Sequence, residues 1–171
     1  MHHYFAYGSN LWQRRLELRV GALRVRGMAR LHDFGLRWHK LGSEGSGKCD
    51  VVPAPGETVI GVVYELDDAQ MARLDAVEGV GHGYTRDDDA RVVLDDGETV
   101  RACTYRAHDP YIDAALIPFE WYREFVVRGA KLHGFPAGYV AALEAQPARP
   151  DPDARQDAEQ RDQLRIPADG A

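Results

Sequence analysis

The run Thr58-Val59-Ile60-Gly61-Val62-Val63-Tyr64 indicates that this 171-residue chain contains a β-sheet. Its β-branched and aromatic residues favour the extended conformation. Successive side chains of a strand point to opposite faces, and in this run both faces are apolar. We therefore expect this strand to be covered on both sides by other parts of the protein.

Five further stretches on either side of this run carry strand patterns between turn residues. The clearest turn is Asp95-Asp96-Gly97-Glu98, because Asp-Gly accepts the positive φ angles of a tight hairpin. Six strands with short turns predict an α+β fold: a small, mainly antiparallel β-barrel with flanking α-helices. The expected strands are residues 3–7, 23–30, 35–39, 58–66, 84–94 and 99–107.

Three helices are expected between the strands, followed by a short fourth. The first follows Asn10, which can cap it while Gln13, three positions later, reaches back to the cap. The second begins at Asp67 and ends at Glu78-Gly79, because aspartate favours helix starts and glycine favours helix ends. The other two are predicted to start at Pro118 and to cover residues 139–144.

Composition and charge indicate a single globular domain with a C-terminal tail. The net charge of −6 gives the chain no general attraction for nucleic acid or an anionic membrane. No apolar run is long enough for a transmembrane helix and no signal peptide is visible, so we expect a cytoplasmic protein. Residues 1–146 form the predicted domain. Residues 147–171, rich in proline and mixed charge, are predicted to be mobile, with only Leu164-Arg165-Ile166 docking weakly.

No metal and no organic cofactor is expected. Cys49 and Cys103 are too few for a disulfide framework or a cysteine zinc site, so we expect two reduced thiols, with a single bridge as the alternative. The seven histidines are scattered and lack the spacing of zinc ligands. Residues 42–48 lack the residue order of a phosphate-binding loop and are interpreted as a flexible loop, and the glycines of residues 79–83 follow a helix instead of a strand.

The segment Tyr7-Gly8-Ser9-Asn10-Leu11 is a candidate site for an anion. It leads from a strand through a glycine turn into a helix, whose N-terminus presents backbone N–H groups and the positive end of the helix dipole. Arg14 and Arg15 are unfavourable for that dipole, and a nearby anion would account for them. The alternative is a plain strand-to-helix turn.

Glu78 is the second candidate. It ends the second helix, where its charge faces the negative end of the dipole, and Val77 and Val80 are expected to exclude water from it. Both effects disfavour the charged carboxylate, as general acid/base catalysis requires. The alternative is a surface glutamate at a helix end. Asp75 lies on another face by its spacing, so no paired carboxylates are expected.

Four blocks in this order resemble the γ-glutamylcyclotransferase family, and the resemblance covers residues 4–143. The blocks are Tyr4-Phe5-Ala6-Tyr7-Gly8-Ser9-Asn10-Leu11, Val52-Pro53-Ala54-Pro55-Gly56 with Val59-Ile60-Gly61-Val62-Val63-Tyr64, Leu74-Asp75-Ala76-Val77-Glu78-Gly79-Val80, and Tyr122 with Gly129-Ala130-Lys131.

The resemblance implies a small barrel whose cavity holds Glu78 as the acid/base. It also implies that these residues bind substrate: Tyr4, Phe5, Ala6, Tyr7, Gly8, Ser9, Asn10 and Tyr122. The implied reaction releases 5-oxoproline and an amino acid or amine from a γ-glutamyl amide, without a cofactor.

Two alternatives stay open beside this interpretation. One is an enzyme that uses Glu78 to process a γ-glutamyl group on a specialised metabolite, and the other is a non-catalytic small-molecule binding domain on the same fold. The expected partner is a small γ-glutamyl molecule, with no nucleic acid and no membrane, and a homodimer is left open.

Overall fold

The computed structural model describes residues 1–165, and its strands close into a barrel. The strands are β1 His2–Ala6, β2 Arg24–Leu41, β3 Gly47–Leu66, β4 Tyr84–Leu94 and β5 Thr99–Ala107. Around the barrel they follow the order β1-β3-β2-β4-β5. Neighbours pair antiparallel, except that β1 and β5 meet in parallel at Tyr4 and Cys103. The predicted α+β fold with a small, mainly antiparallel barrel is confirmed.

Five α-helices flank the barrel in the described residues, and two short 3-10 turns lie at Ser9–Leu11 and Asp109–Tyr111. No helix of residues 1–165 combines the length and the apolar character needed to cross a membrane. The helices are α1 Gln13–Val20, α2 Asp68–Glu78, α3 Glu120–Leu132, α4 Ala137–Glu144 and α5 Ala154–Arg165.

The apolar run of residues 58–64 lies in the second half of β3, between β1 and β2. Its Val59, Val62 and Val63 have no exposed surface, and Ile60 keeps only 7%. Burial on both faces was predicted from the sequence and is confirmed. This half of β3 anchors the short strand β1, which leads directly into the Gly8 turn.

Two of the expected strands, residues 23–30 and 35–39, are parts of one strand, β2. The expected break falls at Asp33, which adopts a positive φ of 62° at an irregularity in the pairing with β3. Residues 42–48 were interpreted as a flexible loop, and this is wrong, because β2 and β3 pair up to Leu41 and Gly47. The intervening turn is closed by a hydrogen bond from Gly42 N–H to Ser46 O of 2.8 Å.

Helix α2 begins and ends as predicted. The Asp67 carboxylate accepts a hydrogen bond from Gln70 N–H (2.7 Å), and the Gln70 side chain accepts one from Asp67 N–H (2.9 Å). At the other end Gly79 adopts the left-handed conformation and terminates the helix. Glu78 is therefore the last residue of α2.

The predicted cap of the first helix is wrong. Helix α1 begins at Gln13 with Trp12 in the cap position, and no side chain caps it. Asn10 lies in the 3-10 turn before it, and its amide bonds to Tyr4, Glu78 and Arg19 instead. The Asn10 side-chain amide, which was expected to cap the helix, thus links three groups of the candidate site.

Part of the tail that was predicted to be mobile forms helix α5, and its mobility stays a prediction. Asp153 caps α5 by accepting hydrogen bonds from the N–H groups of Arg155 and Gln156. Ion pairs four residues apart support the helix, Arg155 with Glu159 and Asp157 with Arg161. Leu164 is buried, whereas Ile166 lies outside the described residues. The domain boundary at residue 146 stays a prediction.

Candidate active site

The Glu78 carboxylate is held through one of its two oxygens. Its side chain is 14% exposed. Oε1 accepts a hydrogen bond from Asn10 Nδ2 (3.0 Å) and lies 3.3 Å from Arg19 Nη1. Among residues 1–165, no side chain or backbone group donates to Oε2. One oxygen is therefore fixed by the protein, and the other has no donor among these residues.

Asn10 is the centre of this hydrogen-bond network. Its Oδ1 accepts from Arg19 Nη1 (2.7 Å), and its Nδ2 donates to the Tyr4 hydroxyl (2.9 Å) as well as to Glu78. These contacts connect β1, α1 and the end of α2 through one amide. The sequence predicted Asn10 as a ligand contact, and the structure gives it the further role of orienting Glu78.

The glycine turn is packed against α3 and β3. A Cβ atom on Gly8 would lie 3.1 Å from Cys49 Cβ and 3.2 Å from the Tyr122 hydroxyl, closer than side chains normally approach. The Tyr122 hydroxyl accepts a hydrogen bond from Cys49 N–H (3.0 Å). Gly129 of α3 touches the backbone at Leu11, where a side chain would overlap it. Helix α3 thus approaches closely enough to place Tyr122 at the turn.

Glu78 and the Gly8 turn line one small cavity of about 30 Å³. It adjoins an outer cleft of about 270 Å³, and the two share four lining residues. The residues of the inner cavity are Tyr4, Tyr7, Gly8, Ser9, Asn10, Cys49, Glu78, Tyr84, Tyr105 and Tyr122. The structure thus brings Glu78 together with six of the eight residues that were predicted to bind substrate. Four of the six belong to the Gly8 turn, and the other two are Tyr4 and Tyr122.

Two of the predicted substrate-binding residues lie elsewhere. Phe5 and Ala6 are fully buried in β1 and line neither the inner cavity nor the outer cleft. The expected apolar cover of Glu78 is also wrong, since Val77 and Val80 are 46% and 40% exposed. The contacts of the Glu78 carboxylate are with the polar side chains of Asn10 and Arg19 instead. Asp75 faces away, bonded to Tyr105 and Arg86, as its spacing indicated.

The inner cavity is rich in buried phenol groups. Burial raises the pKa of Tyr4, Tyr7, Tyr84 and Tyr122 well above the ordinary value of 10, and for Tyr4 the nearby charge of Glu78 raises it further. These hydroxyls therefore keep their protons at neutral pH. Tyr7 and Tyr84 donate theirs to the backbone carbonyls of Tyr105 and Cys49, whereas Tyr4 and Tyr122, among residues 1–165, only accept hydrogen bonds from the protein.

The outer cleft is lined by charged residues, most of which the sequence analysis left unassigned. Its cations are Arg15, Arg19, Lys40 and Lys48, and its acids are Glu44 and Glu78. Two glutamines of α5, Gln156 and Gln160, complete one wall. Of these cations the sequence analysis had noted only Arg15, as one of two arginines near the helix start. Lys48 was not noted, because the turn beside it was interpreted as a flexible loop.

Lys48 and Glu44 form an ion pair across the β2–β3 turn. The Lys48 ammonium also lies 4.3 Å from the ring centres of Trp121 and Tyr122. Burial lowers the pKa of Lys48 to about 8, although the Glu44 carboxylate opposes the shift. The turn is thus fixed to α3 beside the cleft.

Within residues 1–165, no three His, Cys, Asp or Glu side chains cluster as metal ligands do. Both cysteines are buried and free, as expected. That the protein uses neither a metal nor an organic cofactor stays a prediction.

Comparison with known proteins agrees with this architecture. The AIG2-like family model matches residues 58–143. The gamma-glutamylcyclotransferase of Homo sapiens is 31% identical over 147 residues, and that of Bos taurus is 30% identical over 153 residues. Each match covers 83% of this chain and 77% of the relative. A solved structure named gamma-glutamyl cyclotransferase superposes with a TM-score of 0.86 at 27% identity, over 96% of this chain and 98% of that one.

The closed small barrel, with a carboxylate and a glycine turn in one cavity, defines a protein of the AIG2-like class. Within that class, the chain belongs to the gamma-glutamylcyclotransferase family.

Proposed function

We propose that this protein is a γ-glutamylcyclotransferase, which cyclises a γ-glutamyl amide to 5-oxoproline and releases the amine. Family membership supports the reaction, since the relatives that match most of the chain are named for it. The observation that carries the assignment to this chain is the position of Glu78, largely buried, with one oxygen fixed, in the same cavity as the Gly8 turn.

The reaction needs one group that first accepts and then donates a proton. The α-amine nitrogen of the substrate attacks the γ-carbonyl carbon, and its proton passes to Glu78 Oε2. The bond from that carbon to the departing nitrogen then breaks, and Glu78 returns the proton to the leaving amine. Atoms balance without water, because the new C–N bond replaces the old one. Asn10 keeps the carboxylate oriented through both steps.

Ring closure joins two parts of one substrate, so holding the folded conformer supplies much of the acceleration. Well-oriented intramolecular reactions reach effective molarities of roughly 10⁵ M or more. The turn at Gly8 and Ser9, packed against Cys49 and Tyr122, offers a surface for the glutamyl group. In our proposal this turn and its backbone N–H groups bind the α-carboxylate.

Two tyrosines are suited to stabilise the oxyanion that develops on the γ-carbonyl oxygen. Tyr4 and Tyr122 each accept a hydrogen bond from the protein through the hydroxyl oxygen, so each keeps its own proton to donate. Donors that are fixed before the reaction stabilise developing charge without reorganisation. We therefore propose one or both hydroxyls, together with the turn, as the oxyanion donors.

The function is tested by incubating the purified protein with a panel of γ-glutamyl dipeptides and amines and measuring 5-oxoproline. Formation of 5-oxoproline and free amine in equal amounts is expected. Release of free glutamate would instead indicate that Glu78 activates water, and binding without any product would indicate the non-catalytic domain.

Replacing the catalytic carboxylate separates catalysis from binding. We expect Glu78→Gln to lower kcat by at least about 10²-fold, because the amide accepts no proton. Binding of a γ-glutamyl ligand, measured by calorimetry, should persist, since the amide keeps nearly the same shape. Glu144→Gln, at an exposed ion pair, is the matched control. Near wild-type kcat in Glu78→Gln would refute the assignment.

We further propose a cytoplasmic protein that acts on small molecules and binds neither nucleic acid nor membranes. The net charge of −6 supports this proposal. A homodimer remains an untested expectation.

A further inference from the structure

Arg15 is a buried cation without an acidic partner. Only 8% of the residue is exposed, although it lines the outer cleft. Its Nη1 donates to the neutral side chains of Gln160 (2.7 Å) and Gln163 (3.1 Å), and its Nε has no hydrogen-bond partner. The guanidinium lies 4.3 Å from the ring centre of Phe125. No carboxylate of residues 1–165 forms an ion pair with it.

Lys40 is a second cation of the cleft without an acidic partner. Its ammonium lies 4.5 Å from the ring centre of Tyr84, and within the described chain it makes no ion pair. The other two cations of the cleft are paired, Arg19 with Glu78 and Lys48 with Glu44. The cleft therefore contains two cations more than acids.

Such an excess of positive charge, with Arg15 buried and Lys40 half-buried, is unfavourable in the absence of an anion. A charge that loses its water needs a partner of opposite sign, and an aromatic face replaces only part of what is lost. The same burial lowers the pKa of Lys40 and lowers that of Arg15 to about 9. A negatively charged ligand group in the cleft would compensate both cations at once.

The position of the cleft identifies the part of the substrate that reaches it. If the glutamyl group occupies the inner cavity beside Gly8, its scissile amide lies near Glu78, which lines both cavities. The departing amine then extends into the outer cleft, towards Lys40 and Arg15.

We infer that the outer cleft is a leaving-group subsite that selects γ-glutamyl amides whose departing amine carries negative charge. In this subsite acidic amino acids are preferred to neutral amino acids as the leaving group, and both are preferred to uncharged amines. Lys40 is its specificity-determining residue, and Arg15 adds positive charge from the wall beside α5. This inference rests on the proposed function, because it assigns the second half of the same substrate.

The test compares kcat/KM for three substrates with the same glutamyl group: γ-glutamyl-glutamate, γ-glutamyl-alanine and γ-glutamyl-ethylamide. We expect kcat/KM for γ-glutamyl-glutamate to exceed that for γ-glutamyl-ethylamide by about tenfold or more, because a partly buried charge pair contributes a free energy of that size. Lys40→Met should reduce that ratio about tenfold, and Lys40→Arg should restore most of it. Lys40→Glu should shift the preference towards a γ-glutamyl diamine.

Lys131→Met serves as the control, because Lys131 is an exposed lysine on α3 that pairs with Glu144 and lies outside both cavities. An equal fall of the ratio in this control would overturn the inference. So would a wild-type protein that forms 5-oxoproline from all three substrates at similar rates, and the proposed function would then stand. Formation of 5-oxoproline from none of them would instead refute the proposed function.

Discussion

At the scale of single residues, the site depends on side chains that orient other side chains by hydrogen bonds. Asn10 offers two donors and one acceptor from one rigid plane, and the structure uses them for Tyr4, Glu78 and Arg19. An aspartate at this position would keep the acceptor but lose the donors, and would place a second negative charge beside Glu78. The identity of the amide thus fixes which carboxylate oxygen remains available for proton transfer.

Gly8 allows a test of the close approach between the turn and its neighbours. We expect Gly8→Val to weaken binding of a γ-glutamyl ligand at least about tenfold, because even a Cβ atom would press on Cys49 and the Tyr122 hydroxyl. Titration calorimetry measures the effect. Gly138→Val is the matched control, since a Cβ there meets nothing within 4 Å. Unchanged affinity in Gly8→Val would show that the ligand does not use this turn.

A site residue could be predicted when it belongs to a recognisable sequence motif. Gly8, Asn10, Glu78 and Tyr122 belong to blocks with a recognisable order, so their convergence could be anticipated before any coordinates. Lys40 stands in a strand without a motif, and only the pairing of β2 with β3 brings it to the cleft. Tertiary contacts of this kind leave no local pattern.

At the scale of elements, the predicted break in β2 was wrong and helix α5 was not predicted, because tertiary partners override local signals. Asp33 and Pro53 are turn and strand-breaking residues, yet Phe34 pairs with Pro53 and the two strands continue through the irregularity. The same holds for α5, whose sequence has almost no large apolar residue. It is fixed by hydrogen bonds to side chains of the domain, from Trp12 and Arg15 to Gln163 and from Arg128 to Leu164 O.

The anchoring of α5 can be measured at Leu164, its buried residue. We expect Leu164→Ala to lower the free energy of unfolding by about 2 to 3 kcal/mol, the lower part of the range for a buried leucine, because the residue lies near the helix end. Urea denaturation provides the measurement. Leu18→Ala, at a leucine that is 52% exposed, should cost less than about 0.5 kcal/mol. Equal effects of the two substitutions would mean that α5 is not docked in solution.

At the scale of the whole molecule, the barrel places its phenol groups in one interior region. Tyr4 leads from β1, Tyr84 from β4 and Tyr122 from α3, and all three meet at the inner cavity. In our proposal Tyr4 and Tyr122 supply the donors for the oxyanion, whereas the Tyr84 hydroxyl donates to Cys49 O. All three buried hydroxyls couple the fold to alkaline pH. The architecture that serves the proposed reaction therefore has a consequence for stability.

We expect stability to fall steeply as the pH rises above about 10. Burial raises the folded-state pKa of Tyr4, Tyr7, Tyr84 and Tyr122 well above 10, so above this pH the unfolded chain loses phenol protons that the folded chain retains. Fewer bound protons in the unfolded state mean that stability decreases with pH, by up to about 1.4 kcal/mol per tyrosine and pH unit. Lys48 acts in the opposite sense: its pKa is about 8 when folded and 10.5 when unfolded, so it stabilises the protein as the pH rises between these values.

Thermal melts across pH 7 to 12 would locate the pH, near 10, at which the effect of the tyrosines sets in. Above it, tyrosinate absorbance near 295 nm should rise together with the loss of far-UV circular dichroism, because the buried phenols ionise only when the barrel opens. Tyr84→Phe should make the decline of stability above pH 10 shallower by up to about 1.4 kcal/mol per pH unit, since it removes one of the titrating phenols. Full ionisation of all eight tyrosines near pH 10 with the circular dichroism unchanged would show that the phenols are not buried in solution, and the inner cavity would then be open to water rather than closed around the glutamyl group.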